Sequence, residues 1–276
     1  MSTTAAGPTA PRARSLPVLF AVPAFGALIL LVLPLLGLLA RAPWGDIGRI
    51  LADPTVVQAL RVSVISSTGA LVVCLVCGVP LAWFLARVDF PGRSLVRGFV
   101  LVPMVLPPVV GGVALLLAFG PRGLLGGPLD RLGITLPFST AGTVMAATYV
   151  ALPFLVLAVE GALESVDRAA EEVAETLGAS PWRVFWTITL PSIRPGLASG
   201  AALAWARALG EFGATITFAG SIAGITQTMP LAVYEVLPTD PAGALTLSLL
   251  MLVTSTTVIV ALRSQWLVPW RARRAP

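Results

Sequence analysis

The chain has 276 residues, of which 57% are hydrophobic and 11% are charged, and its mean hydropathy is +0.92. A soluble globular domain carries about 25% charged residues, so this composition indicates a protein that is solvated by lipid. All 18 basic residues are arginine, with no lysine and no histidine. This excludes a P-loop, an HExxH zinc site and a Ser-His-Asp triad. Any ATP hydrolysis linked to this chain therefore belongs to another polypeptide.

Six apolar segments are long enough to cross a hydrocarbon core of about 30 Å. In chain order they are residues 16–40, 62–85, 96–119, 138–159, 195–218 and 242–262. No small-residue cleavage site follows the first segment, so we predict a retained helix rather than a signal peptide. The third segment is predicted to be a broken helix because it contains several prolines and glycines: Pro103, Pro107, Pro108, Gly111 and Gly112. It is interpreted either as part of a pore wall or as a kinked structural helix.

The sequence therefore predicts an all-α membrane protein with six transmembrane helices. We expect one membrane domain over residues 15–265, a disordered N-terminus over residues 1–14 and a basic tail over residues 266–276. Residues 120–137 and 220–241 are predicted to be loops, because the first is rich in glycine and proline and the second is polar.

The arginines indicate how the chain is oriented. The formal charge of +5 is compatible with nucleic-acid binding, but the arginines are scattered at the ends of the apolar segments, which fits membrane topology better. With the N-terminus inside, twelve arginines fall on the inner side, five on the outer side and Arg207 within the membrane. The positive-inside rule places both termini and residues 160–194 in the cytoplasm.

Cys74 and Cys77 form a CxxC pair. One interpretation is a redox or metal pair. The other is two small apolar residues inside an apolar helix, and it is favoured because no histidine or further ligand accompanies them.

Residues 160–194 form the longest amphipathic, charge-bearing segment in the chain. A short helix is predicted over residues 167–177, starting at an Asp cap and ending at Gly178 in a left-handed conformation. Ser180 and Pro181 then predict the start of a second helix that ends at Leu190 and Pro191. The apolar side chains Val184, Phe185 and Ile188 complete a knob suited to a groove on a soluble partner.

The spacing Glu-x-Ala-x3-Gly-x9-Ile-x-Leu-Pro in this segment resembles the EAA motif of permeases in bacterial ABC importers. The matching positions are Glu172, Ala174, Gly178, Ile188, Leu190 and Pro191, and Val173 departs from the usual second alanine. The resemblance implies a type I ABC importer permease. Its loop between spans 4 and 5 would form coupling helices that dock into a cleft of an ATPase subunit.

Three further runs resemble the molybdate branch of the molybdate/sulfate permeases. They are residues 106–112, residues 207–220 with Arg-Ala-Leu-Gly-Glu-Phe-Gly, and residues 226–234 with Thr-Gln-Thr-Met-Pro-Leu. The resemblance covers residues 15–265 and implies molybdate as substrate. Tungstate is nearly the same tetrahedral dianion and is not separated from molybdate by these residues.

Arg207 and Glu211 lie four residues apart and so share a helix face. Charges at membrane depth face the bundle interior and pair. The pair is either a charged element beside the transport path or a structural ion pair that locks the helix to its neighbours. Gly210 and Gly213 are predicted to permit close helix approach.

The family resemblance also implies the partners. They are two ATPase subunits that bind ATP and Mg²⁺, a second permease copy in a homodimer, and an extracytoplasmic molybdate-binding protein, in a bacterial inner membrane. This chain itself is expected to hold no cofactor and no metal, and to be a transporter subunit rather than an enzyme. The alternatives are a sulfate or thiosulfate permease, an intramembrane enzyme and a passive channel.

Overall fold

The computed structural model describes residues 18–272, and every regular element in that range is helical, as predicted. The helices are α1 (Val18–Arg41), α2 (Ile47–Leu51), α3 (Pro54–Val73), α4 (Val79–Arg87), α5 (Arg93–Val105), α6 (Pro108–Phe119), α7 (Gly126–Arg131), α8 (Thr140–Ser165), α9 (Ala169–Thr176), α10 (Pro181–Val184), α11 (Leu190–Leu209), α12 (Gly213–Phe218), α13 (Met229–Val236) and α14 (Pro241–Ala272). Two π-helical turns, Cys74–Gly78 and Phe185–Thr189, join α3 to α4 and α10 to α11.

Within residues 18–272, four helices are long and apolar enough to cross a membrane: Phe20–Arg41, Pro54–Arg87, Thr140–Ser165 and Pro241–Val258. A fifth span results if the bent pair α5 and α6 counts as one. The fifth predicted segment, residues 195–218, is not one helix, because α11 ends at Leu209 and α12 begins at Gly213. The count of six spans therefore stays a prediction.

Helix α1 forms a unit by itself, and residues from Pro43 onward form a second unit. The centre of the second unit is α8, which contacts α3, α4, α5, α6, α11 and α12. Its buried apolar side chains recur mostly at helical spacing: Ala147, Ala151, Leu155, Val159 and Leu163. This helix is the scaffold on which the other elements are positioned.

Glycine allows α11 to pack closely on α8. A Cβ atom on Gly200 would lie 2.8 Å from the Cβ of Ala158, and one on Gly196 would lie still closer to the Cβ of Ala162. Because small residues four apart let two backbones approach, this contact is the small-residue packing typical of membrane helices.

The predicted break in the third apolar segment is present. Leu106 and Pro107 have extended backbone between α5 and α6, with ψ of 135° and 133°. A residue that precedes proline is pushed out of the helical region, and the two consecutive prolines Pro107 and Pro108 impose this on both. The axes of α5 and α6 consequently differ by 117°.

The predicted loops at residues 120–137 and 220–241 each contain a helix, α7 and α13 respectively. Helix α13 buries Met229, Leu231 and Ala232, although the residues that precede it are polar. The hydroxyl of Ser63 on α3 accepts a 2.7 Å hydrogen bond from the Met229 amide and so satisfies the start of the helix. The sequence also carries a local start signal for this helix, Thr228 followed by Pro230 in the first turn. The loop prediction was wrong because it rested on the polar residues before the helix.

The predicted disordered segment, residues 1–14, lies outside the described residues. Helix α14 continues to Ala272, so the predicted basic tail, residues 266–276, begins inside this helix and its last four residues lie outside the described range.

Candidate coupling loop and charged helix break

Local sequence signals build the loop between α8 and α11. The carboxylate of Asp167 accepts a 3.0 Å hydrogen bond from the Ala169 amide at the start of α9. Gly178 adopts φ of +86° just after this helix, in the left-handed conformation that was predicted. Ser180 then accepts from the Arg183 amide, with Pro181 in the first turn of α10.

The second loop helix does not end at Leu190 and Pro191, which corrects the prediction. The backbone stays helical from α10 through the π-helical turn Phe185–Thr189 into α11. Proline removes a backbone donor and its ring clashes with the preceding turn of an α-helix. The wider π-helical turn immediately before Pro191 accommodates the ring, so the loop passes into α11 as one helical rod.

The six motif positions divide into exposed and half-buried sets. Glu172 and Gly178 are exposed, whereas the half-buried members are Ala174, Ile188, Leu190 and Pro191. The apolar side chains Val173 and Leu177 are 58% and 83% exposed beside Glu172. Apolar side chains are thus exposed next to an acidic one at this end of α9.

Glu171, the residue before the motif glutamate, joins three segments. Its Oε1 accepts a 3.1 Å hydrogen bond from Arg87 at the end of α4 and a 2.7 Å hydrogen bond from the Thr189 hydroxyl. The Arg87 and Glu171 side chains are 8% and 13% exposed. Nearby, Arg168 donates to the carbonyl of Ala86 at 3.0 Å. We call Arg87, Glu171 and Thr189 the Glu171 cluster.

A second ion-pair cluster joins α5 to α8. Arg97 lies 2.5 Å from Glu160 and 2.7 Å from Glu164, which are one turn apart on α8. The sequence predicted neither cluster, because the arginine and glutamate partners are 63 to 84 residues apart along the chain. The i, i+4 spacing of Glu160 and Glu164 was the one available signal.

Arg207 and Glu211 form an ion pair at 2.7 Å across the end of α11. The Glu211 side chain is 1% exposed and that of Arg207 is 28% exposed. Glu211 Oε1 also accepts a 2.8 Å hydrogen bond from the amide of Ala214, in the first turn of α12. The carboxylate therefore bridges the break between the two helices.

The three runs that resemble the molybdate branch meet at this break. A Cβ atom on Gly213 would lie 2.8 Å from the Cβ of Pro108, so the start of α12 lies against the start of α6. The ring of Phe212 contacts that of Tyr234 on α13, with centroids 5.1 Å apart. Gly210 has a looser environment, with the Ala206 carbonyl oxygen 3.6 Å from a Cβ built on it.

The cysteine pair lies on the first π-helical turn. Cys74 is buried, and its thiol lies 3.9 Å from the carbonyl oxygen of Thr148, whereas Cys77 is exposed. Among the residues described, no group of three or more His, Cys, Asp or Glu side chains is arranged to hold a metal ion.

The sequence profile of one family, described as "Binding-protein-dependent transport system inner membrane component", matches residues 78–271. The chain belongs to this family. With its apolar helices, this permease is a multi-pass membrane protein.

Two curated relatives align with most of this chain. The permease is 45% identical over 239 residues to the "Molybdenum transport system permease protein ModB" of Mycobacterium tuberculosis, covering 87% of this chain and 90% of the relative. It is 36% identical over 209 residues to the "Sulfate transport system permease protein CysT" of Escherichia coli, covering 75% and 76%.

Among solved structures, the permease superposes on a chain of a bacterial alginate ABC transporter in complex with its pentasaccharide-bound periplasmic protein. The TM-score is 0.72 at 17% identity, with 89% of this chain and 91% of that chain covered. At this identity the likeness establishes a shared fold, that of an ABC importer permease.

Proposed function

We propose that this permease forms the translocation pathway of an ATP-driven importer for molybdate, and for tungstate as its near-isosteric dianion. The observation that carries the proposal is the 45% identity to a molybdenum permease over 87% of the chain, against 36% to a sulfate permease over 75%. The absence of lysine and histidine from the sequence supports an ATPase on a separate chain, which would bind ATP and Mg²⁺.

The loop from α9 to α11 is proposed as the docking site of that ATPase. Its support is the EAA spacing together with the exposed side chains of Glu172, Val173 and Leu177. The excess of arginine on the same side of the predicted spans supports a cytoplasmic position for this loop and for both termini.

The complete importer is proposed to contain two copies of this permease, two ATPase subunits and an external binding protein. The proposal of a binding protein is supported by the alginate transporter: a chain of that complex shares the fold of this permease, and the complex contains a periplasmic protein. High-affinity capture would belong to that protein, because a conducting path needs weak sites that release the ion.

The Arg207–Glu211 pair is proposed as a structural lock at the helix break rather than as an anion site. Its support is geometric: Glu211 is buried, pairs with Arg207 and accepts from the Ala214 amide. A carboxylate in this position repels a passing dianion and would oppose tight binding there.

Uptake by proteoliposomes tests the proposed function. The permease is reconstituted with its ATPase and binding protein, and uptake of labelled molybdate is measured with and without internal ATP. We expect ATP-dependent uptake that excess tungstate suppresses and excess sulfate does not. Suppression by sulfate as strong as that by tungstate would instead support the sulfate function that the CysT relative suggests.

A further inference from the structure

Glu171 and Glu172 are adjacent, yet the structure gives them opposite surroundings. Glu172 is exposed, whereas Glu171 points inward to Arg87 and Thr189. The three side chains of the Glu171 cluster come from α4, α9 and the π-helical turn before α11. The cluster therefore ties two parts of the loop, α9 and the π-helical turn before α11, to the end of α4.

We propose that Glu171 is a positioning residue that transmits movement of the loop to the second span through Arg87. This inference rests on the proposed function, because it requires the loop to be moved by an ATPase. The loop is continuous with α8 and α11 along the chain, but it reaches α4 only through space. Arg87 at the end of α4 supplies that link, together with the bond from Arg168 to the Ala86 carbonyl.

The burial of the pair supports a positioning role. Arg87 and Glu171 are both almost withdrawn from solvent, and Thr189 is 2% exposed. A buried ion pair adds little net stability compared with apolar side chains of similar volume, and in some proteins it specifies the register of the elements that carry it. Leu85, Leu163 and Ile193 belong to the apolar core formed by the same helices, so we expect the fold to persist when the ion pair is broken.

The test separates docking, ATP hydrolysis and transport in the reconstituted importer. Glu171→Gln and Arg87→Gln are compared with wild type for copurified ATPase, rate of ATP hydrolysis and molybdate imported per ATP. The ion pair between Arg93 and the 97% exposed Asp89, at 2.8 Å, supplies the control Asp89→Asn. The exchange Arg87→Glu with Glu171→Arg tests for rescue.

We expect both single variants to keep the ATPase bound and hydrolysing, while molybdate imported per ATP falls about threefold or more, within the range of coupling energies. The exchanged pair should recover much of this loss, and Asp89→Asn should match wild type. Loss of ATPase binding in parallel with uptake, an unchanged ratio, or no recovery in the exchanged pair would overturn the proposal. Absence of ATP-dependent uptake in wild type would instead refute the proposed function.

Discussion

The carboxylate of Glu211 accepts a 2.8 Å hydrogen bond from the amide of Ala214, while its other oxygen lies 2.7 Å from Arg207. One buried side chain thus neutralises the cation at the end of α11 and satisfies a free amide at the start of α12. This places a negative charge at the positive end of a helix, where it is stabilising.

Replacing Glu211 by alanine should therefore destabilise the protein. Arg207 loses its partner and the Ala214 amide loses its acceptor, so we expect a loss of about 3 kcal/mol, at the lower end for broken buried pairs because Arg207 is partly exposed. Glu211→Gln should lose less, because the amide oxygen still accepts from Ala214. Reversible unfolding in detergent measures both.

The exposed pair Asp46 and Arg49, at 3.5 Å, provides the matched control. Asp46→Asn should change stability by less than about 1 kcal/mol, as is usual for surface pairs. Equal losses for Glu211→Ala and Asp46→Asn would contradict the bridging role.

Gly112→Ala should disturb the packing of α6 on α12. The new Cβ atom would lie 2.7 Å from the Cβ of Thr217 and 2.8 Å from the Ala214 carbonyl oxygen. Overpacking of this kind costs about 1 to 3 kcal/mol. Gly98→Ala on α5 is the control, since no atom lies within 4 Å of its Cβ position. Thermal unfolding should show a loss for Gly112→Ala alone, and equal effects would argue against the close contact.

Gly178→Ala should destabilise the loop between α8 and α11 without changing the packing of the helix bundle. Its φ of +86° suits glycine, and its Cβ position has no neighbour within 4 Å. The expected cost is therefore purely conformational, about 1 to 2 kcal/mol. Hydrogen exchange should become faster in α9 and α10, while exchange in α8 stays unchanged. Gly161→Ala, a helical glycine with equally open space, should leave the loop as protected as in wild type.

The stability of the protein should depend on pH through Asp53, which lies just before α3. Its carboxylate accepts from the hydroxyl and the amide of Thr55, at 2.7 and 2.8 Å, and these bonds lower its pKa below the usual 3.8. Because the folded pKa lies below the unfolded one, the stabilisation is complete above pH values near 3.8 and disappears as the pH falls through the folded pKa.

Asp53→Asn should accordingly be less stable than wild type at neutral pH, and the difference should shrink in acid. Unfolding curves recorded at several pH values for both proteins measure this convergence. A stability difference that stays constant down to the lowest pH would show that the ionised cap is not its source.

Much of the fold follows from local and compositional signals. Long apolar runs and the scarcity of charge require lipid and helices, because backbone groups in hydrocarbon must be satisfied within one segment. The prolines before α6 and the Gly178-x-Ser180-Pro181 run determine where helices stop and start, since their effects act on neighbouring residues. These features were correctly predicted.

The remaining features were not predicted from the sequence. Helix α13 was missed because the polar residues before it were given more weight than its local start signal, Thr228 with Pro230 in the first turn. The passage through Pro191 was missed because a π-helical turn accommodates the proline ring. The sequence by itself determined that the chain is solvated by lipid, that its fold is all-α, and where along the chain the loop lies. Only the tertiary structure decided that Glu171 faces Arg87, because a pairing across 84 residues depends on how distant helices pack. It also showed that the helix breaks between Leu209 and Gly213, and this break is what brings the Ala214 amide to Glu211.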